Sequence, residues 1–303
     1  MKKSYIVDIS FENTRLDRWI RKQICPIPQS LIEKNIRRGN IKVNKKRMKS
    51  SYKLKQNDKI QLFNFNFKTT ERKRKQDIYI PSKKELTFSS NLFIEDNENF
   101  AILNKPAGLA VQQGTKSKRN ILDILKKTKE FQNYFPYTVH RIDKETTGIL
   151  IVAKTRKYAQ LLTSLFRIRK IYKTYLAITI GSLNEKKGIL SDDLLHYEGN
   201  KQIKSKAITR FVEIDSNGKY SLLQLNPETG RKHQLRKQLL SRGCPVFGDT
   251  KYRFQENKNK KNSRLMLHAY KISFSIDNIK YKFKADLPTE FKKFMDEKYL
   301  KNF

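Results

Sequence analysis

Three stretches of the chain bring ionisable and aromatic residues together at spacings that suit chemistry. The first, His140-Arg141-Ile142-Asp143-Lys144-Glu145-Thr146-Thr147-Gly148, crowds charge into a segment just ahead of an apolar run. Polar loop residues presented by a rigid strand are where function concentrates. Arg141 and Lys144 flank Asp143, and a neighbouring cation keeps a carboxylate ionised even when it is partly buried. Such a carboxylate serves as a nucleophile or as a base; the same residues also suit a salt-bridged turn. The second stretch, Asn226-Pro227-Glu228-Thr229-Gly230-Arg231-Lys232-His233-Gln234-Leu235-Arg236, is a Gly-containing turn entering a helix with Arg231, Lys232 and Arg236 in its first turn. Helix N-termini favour anions, so cations stacked there call for a phosphate or carboxylate nearby. His233 reads as a hydrogen-bonded structural residue. In the third stretch, Lys173-Thr174-Tyr175-Leu176-Ala177, strand alternation puts Lys173 and Tyr175 on one face. Tyr175 there can stack on a base, transfer a proton or fill a core.

The elements that must hold these stretches follow from periodicity and turn chemistry. Gly148 to Ala153 is a continuous apolar run bounded by polar residues, which predicts a buried strand. Thr155 caps a helix carrying Tyr158, Leu161, Leu162 and Leu165. A strand is expected within Phe93–Leu103, followed by an Asn104-Lys105-Pro106-Ala107-Gly108 turn, and a short helix over Ile121–Thr128. Further strands are expected at Lys170–Gly181, Ala207–Ile214, Tyr220–Asn226, Arg264–Phe274 and Lys280–Ala285, with a helix over Lys232–Ser241 ended by Gly243. The polar Glu256–Ser263 stretch reads as an exposed loop. The pattern is α+β with a mostly antiparallel mixed sheet.

The front of the chain differs. Thr14 with Asp17 forms a near capping box ahead of Leu16, Trp19, Ile20 and Ile24, and Ser30 with Glu33 forms another ahead of a helix ended by Gly39. Strands Ile41–Val43 and Lys59–Phe63 follow, the first leading into an Asn44–Lys45 turn. Between Thr14 and Ile60 there are 15 Lys or Arg against 3 Asp or Glu. Arg37, Arg38, Lys42, Lys45, Lys46 and Arg47 crowd the second helix end and the turn beyond it, an arrangement suited to a phosphate backbone. Residues 1–67 are therefore expected to form a small α/β domain that meets a phosphate backbone, 68–84 a basic linker and 85–303 a larger domain.

Composition supports a folded partner of a polyanion. The 303 residues hold 66 Lys or Arg against 29 Asp or Glu, a formal net charge of +37, which is foreign to a near-neutral metabolic enzyme. The 18 Phe and 14 Tyr are too many for a disordered basic tail. Cys25 and Cys244 form no CxxC or Cys/His metal spacing, so no metal is expected. The longest apolar run, around Ile149 to Ala153, falls far short of the roughly 20 residues of a membrane span, and no signal or transit segment is evident at the N-terminus. A cytoplasmic monomer with no membrane contact is expected.

Residues Arg15-Leu16-Asp17, the Ser30–Gly39 helix and Ile41-Lys42-Val43-Asn44 resemble the S4 RNA-binding domain. The larger domain resembles the RluA family of pseudouridine synthases through four texts in order. They are Asn104 to Leu109; His140-Arg141-Ile142-Asp143 with Thr147-Gly148; Lys173 to Ala177 with Gly181; and a C-terminal block. That block comprises Thr229-Gly230-Arg231 to Arg236, Gly243, Pro245, Gly248-Asp249-Thr250-Lys251-Tyr252 and Leu267-His268-Ala269. With its S4 module the chain is most similar to the RluC-type branch, which acts on large-subunit ribosomal RNA.

The resemblance implies isomerisation of uridine: the N-glycosidic bond breaks, the base turns and rejoins the sugar through C5. No redox cofactor or metal is implied. Asp143 is implied as the catalytic carboxylate, attacking the sugar or removing a sugar proton. Arg236 pairs with it, and Tyr175 packs on the base and takes part in removing the C5 proton. Leu235 supports the base, and Arg141 fills the gap left by the extruded nucleotide, whose unstacking costs a few kcal/mol. His140, Arg231 and Lys173 are further implied substrate contacts. Thr147, Lys232 and Lys237-Gln238 depart from the family's usual Ser, Thr and Val-His, leaving the chemistry intact and touching site choice. Alternatives are a non-catalytic S4-type RNA-binding or ribosome-assembly protein, and a pseudouridine synthase acting on transfer RNA.

Overall fold

The computed structural model describes residues 2–24, 27–64, 81–82, 90–113, 119–198, 201–254 and 264–300. The chain divides into two compact units, Met1–Gln76 and Asp77–Phe303. The 68–84 stretch, apart from Pro81 and Ser82, and the Glu256–Ser263 stretch lie outside the described residues.

In the first unit, β1 (Lys2–Ile6), β2 (Ile41–Val43) and β3 (Lys59–Phe63) form an antiparallel sheet in the order β1-β3-β2. Helices α1 (Leu16–Gln23) and α2 (Gln29–Arg37) bury Leu16, Trp19, Ile20, Ile32 and Ile36 in one core with Ile41, Val43, Ile60 and Leu62. Neither helix uses the cap expected for it. Arg15 and Pro28 stand at the N-cap positions, and neither residue's side chain caps its helix. Tertiary backbone supplies the acceptors for α1 instead, since the N–H groups of Leu16 and Asp17 donate to the carbonyls of Tyr52 and Ser50. Asp17 is released to accept from Arg15 at 2.6 Å and from Gln29 at 2.8 Å, which ties α1 to α2. Asn44 and Lys45 both have positive φ, 50° and 65°, closing the two-residue turn that favours Asn.

The second unit is α+β, built on β4 (Phe93–Asp96), β5 (Phe100–Lys105), β6 (Tyr137–Thr138), β7 (Thr147–Ala153), β8 (Tyr172–Ile180), β9 (Lys187–Glu198), β10 (Lys201–Ser216), β11 (Tyr220–Pro227), β12 (Leu267–Ile276) and β13 (Ile279–Lys284). The main path runs β4-β5-β7-β12-β8-β11-β10-β9, with β6 on β7 and β13 on β12. Among the described strands, only the β7–β12 pairing is parallel. Two departures from expectation stand out. Phe93–Leu103 is a hairpin rather than one strand, turned at Asn97, whose side chain accepts from the N–H groups of Asn99 and Phe100. Strand β9 was not anticipated, because Ser191-Asp192-Asp193 interrupts its apolar pattern; as the end strand of the path it is paired on one side by β10.

Helices α3 (Ile121–Leu125), α4 (Arg156–Arg167), α5 (Gln234–Ser241) and α6 (Thr289–Glu297) complete the unit. Thr155 caps α4 by accepting from the Tyr158 N–H. Successive β8 residues feed opposite cores. Ala177 packs with Leu235 and Leu239 of α5, whereas Leu176 packs with Phe291 and Met295 of α6. The sheet is thus covered on both faces there, and β7 is buried along its whole length. At the β7 entrance, Gly148 has φ 102°, and a Cβ on it would lie 2.2 Å from the Ala269 carbonyl oxygen. Only glycine lets β12 approach the strand that follows the His140–Gly148 loop. Among the described residues, no helix is long and apolar enough to cross a membrane.

Candidate active site

The His140–Gly148 loop is anchored from beneath by a buried ammonium. Lys105, fully buried at the end of β5, donates from Nζ to the carbonyls of Pro106, Leu109 and Lys144 at 2.8, 3.0 and 3.0 Å. The Gly108 N–H donates to the same Lys144 carbonyl at 3.0 Å. Burial pushes Lys105 down to about 7, against the pull of Glu145 and Asp143. The Asn104–Gly108 turn is therefore the clamp on the loop that carries Asp143, and three carbonyl partners suit the three donors of an ammonium.

Asp143 meets α5. Its Oδ2 accepts from Nη1 of Arg236 at 3.0 Å, and its side chain keeps 23% of its exposure. Arg236 is itself gripped from behind: Nε and Nη2 donate to Asp249 at 2.6 and 2.8 Å, and the Asp249 side chain is wholly buried. A bidentate arginine–carboxylate pair fixes the guanidinium plane as well as its charge. Burial opposes that charge, but Asp249 and then Asp143 outweigh it and raise the Arg236 pKa above its ordinary value. Asp249 is held in turn by the backbone N–H groups of Lys251 and Tyr252 at 2.8 and 2.9 Å. Gly248 permits this turn, since a Cβ there would lie 1.9 Å from the Arg264 carbonyl oxygen.

The anion called for by the cations of the second stretch is thus supplied by the protein, as two carboxylates around Arg236. Arg231 and Lys232 are not in the first helical turn as expected. The helix begins at Gln234, because Gln234 turns its amide back to accept from the Arg231 N–H at 3.0 Å and the Thr229 hydroxyl at 2.7 Å.

A cavity of about 530 Å³ opens over Asp143, a volume of the size that binds small organic groups. It is lined by all eight residues singled out in this unit: His140, Arg141, Asp143, Lys173, Tyr175, Arg231, Leu235 and Arg236. They come from the loop before β7, from β8, and from α5 and the turn before it. Arg141 and Arg231 are exposed. Tyr175 is half-buried, and burial, then the Asp143 charge, raises its phenol pKa so that it stays protonated at neutral pH. Burial, with Arg169 adding to it, lowers Lys173 to about 8.

His140 lines the cavity and is also tied into the fold. Its Nε2 accepts from the Ile151 N–H at 2.9 Å, its ring stacks on Phe166, and burial holds it down to about 3. It is neutral, and its Nε2 is committed to β7.

Sequence reasoning did not assign roles to Asp249 and Tyr252. Asp249 lies 13 residues from Arg236, and nothing in its local pattern marks it as that residue's partner. Tyr252 places its ring 5.1 Å below the Arg236 guanidinium. In the first unit, Arg37, Arg38, Lys45, Lys46 and Arg47 are exposed, Lys42 is half-buried against Phe63, and none of the six makes an ion pair among the described residues.

Comparison with known proteins follows the same outline. Residues 99–241 match the family described as RNA pseudouridylate synthase. The chain is 33% identical over 279 residues to ribosomal large subunit pseudouridine synthase C of Vibrio parahaemolyticus, covering 88% of this chain and 87% of that protein. It is 32% identical to the protein of that name from Rickettsia conorii, with 94% and 98% covered. The solved structure of human RNA pseudouridylate synthase domain containing 4 shares the fold, with a TM-score of 0.61 at 24% identity over 71% of this chain and 97% of that one.

Proposed function

The chain belongs to the RNA pseudouridylate synthase family and is an RNA pseudouridine synthase, and from that premise we propose that it isomerises specific uridines of large-subunit ribosomal RNA with Asp143 as the catalytic carboxylate. The relatives' names support the substrate. One observation carries the role of Asp143: one carboxylate oxygen is held by Arg236, while the other has no hydrogen bond among the described residues, at a cavity that also holds Tyr175.

In the isomerisation the C1′–N1 bond breaks, the C1′–C5 bond forms, C5 gives up a proton and N1 takes one. Asp143 starts it through its free oxygen, by attack on C1′ or by removing a sugar proton. Arg236 holds the other oxygen of that carboxylate, and Asp249 keeps Arg236 in place. Tyr175 lies along the base as a neutral phenol, and it accepts the C5 proton only if it passes its own proton on at the same time. Leu235 backs the base, Arg141 takes the vacated place in the RNA stack, and Arg231 and Lys173 meet phosphates. The reaction as proposed calls on no cofactor, and the enzyme works as a monomer in the cytoplasm.

Mapping pseudouridines in RNA from cells lacking the protein, and in transcripts treated with it, tests the substrate. Sites should vanish from large-subunit ribosomal RNA and return on treatment. Losses confined to transfer RNA would move the substrate there, and no loss at all would favour a binding protein.

We propose further that the first unit is an S4-type RNA-binding domain using Arg37, Arg38, Lys42, Lys45, Lys46 and Arg47 on phosphates. Each phosphate contact adds about −0.7 to −0.9 to the slope of log affinity against log salt. Replacing Lys45, Lys46 and Arg47 by Gln should flatten that slope by about 2 to 3 units on the same basis, with kcat at saturating RNA unchanged. An unaltered slope would contradict the assignment.

A further inference from the structure

His233 is the second group that faces Asp143. Its Nε2 lies 3.7 Å from Asp143 Oδ1, the oxygen that Arg236 does not hold. Its Nδ1 lies 2.9 Å from the Tyr252 hydroxyl, and the two rings meet edge to face at 5.4 Å. Tyr252 also supports Arg236 from below at 5.1 Å. Asp143, Arg236, Tyr252 and His233 therefore close a ring of contacts at the cavity. His233 has φ 55° and ψ 31°, a left-handed conformation uncommon among non-glycine residues. Strain of this kind persists where the surroundings over-determine it and clusters at functional sites.

Protonation follows from the contacts. Burial lowers the His233 pKa; Asp143 opposes this, and Arg236, Lys251 and Lys232 add to it, so the imidazole is neutral at neutral pH. Burial raises the Tyr252 phenol, with Arg236 opposing and Asp143 and Asp249 adding, so the hydroxyl keeps its proton. A neutral imidazole with its proton on Nδ1 would turn an Nε2 lone pair toward a carboxylate. With the proton on Nε2, the Tyr252 hydroxyl donates to Nδ1 and the Nε2–H points at Oδ1, so both contacts are favourable.

Resting on the assignment of Asp143 as the catalytic carboxylate, we propose that His233 and Tyr252 are positioning residues: Tyr252 fixes the imidazole tautomer, and the His233 Nε2–H orients the free oxygen of Asp143 toward the bound nucleoside. The separation of 3.7 Å exceeds a hydrogen bond, and such contacts commonly tighten only once substrate is bound. The arrangement parallels the outer partners that fix tautomer and direction in other histidine sites.

Three variants separate this role from scaffolding. His233→Gly tolerates the left-handed backbone and removes the imidazole. His233→Gln offers an amide N–H near the Nε2 position. Tyr252→Phe removes the hydroxyl and keeps the ring beneath Arg236. Turnover is read as tritium release from a large-subunit ribosomal RNA transcript made with 5-tritiated uridine.

His233→Gly should lower kcat about 10- to 100-fold with KM within about twofold, the scale of a misaligned reacting group. His233→Gln should restore most of the rate. Tyr252→Phe should show a smaller loss of kcat with KM likewise within about twofold, and it demands no left-handed residue if the Gln variant fails to fold. A His233→Gly enzyme with kcat within twofold of the parent overturns the proposal. So does a His233→Gln enzyme that folds as the parent does and turns over no faster than His233→Gly. Full turnover by an Asp143→Ala enzyme would instead fault the assignment of Asp143, so the two failures are distinguishable.

Discussion

Asp143→Ala should abolish uridine isomerisation, with kcat falling at least about 10⁴-fold, the upper end of what one positioned acid–base group supplies. The fold should survive. The lost side chain is partly exposed, and Arg236 keeps its two bonds to Asp249 at 2.6 and 2.8 Å. Stability should therefore change by about 1 kcal/mol or less, the usual range for a partly exposed pair. RNA affinity should hold, because it rests on the many cations rather than on one carboxylate. Tritium release, filter binding and urea unfolding of the same preparation separate the three quantities. Normal turnover would remove Asp143 from the mechanism, and lost binding alongside lost turnover would make it a substrate contact instead.

Arg236→Gln should fail in a different way. The Asp249 side chain, wholly buried, would lose its guanidinium, and stranding one partner of a buried pair costs about 3–5 kcal/mol. Burial works against the Asp249 charge. The hydrogen bond from Arg236, those from the Tyr252 and Lys251 N–H groups, and the Arg236 charge outweigh it, holding the carboxyl below its ordinary pKa. A depressed carboxyl contributes stability that is complete above about pH 4 and fades as pH falls through its folded pKa. The gap between parent and Arg236→Gln should accordingly be widest near neutral pH and narrow in acid. Adding Asp249→Asn should return part of the stability without returning activity, since Asp143 still lacks its cation. Urea unfolding at neutral and acid pH, with turnover of both variants, checks each step. A variant as stable as its parent would show that the Arg236–Asp249 pair contributes nothing, and a double variant with restored turnover would show that Arg236 does not act through Asp143.

Local chemistry carried much of the architecture. Strands Ile41–Val43 and Lys59–Phe63 lie where alternation and turn residues put them. The Gly148–Ala153 strand gains one residue, Thr147, and Thr155 caps its helix. Failures came where a distant partner replaced a local signal. The α1 N–H groups found the carbonyls of Ser50 and Tyr52 rather than the Thr14 side chain. In β9, Asp192 broke the apolar pattern because it serves Gln238 and Arg242, at 2.8 and 2.9 Å.

The sequence by itself determined residue types and short-range geometry: a carboxylate between cations, a tyrosine and a lysine on one strand face, a basic front module and an α+β chain. Those follow from spacing along the backbone, where 3.6- and 2-residue periods and turn preferences operate. Local spacing could not decide which cation meets which anion. The Arg236–Asp143 contact, which the family resemblance implied, spans 93 residues, and only the tertiary structure showed Asp249 behind Arg236 and Lys105 reaching the Lys144 carbonyl across 39. His140 joined Ile151 while lining the cavity, and His233 turned to Asp143 through a left-handed backbone. Such pairings are set by which strands lie side by side and by where glycine permits close approach. Buried charges accept only partners that packing brings within hydrogen-bond reach.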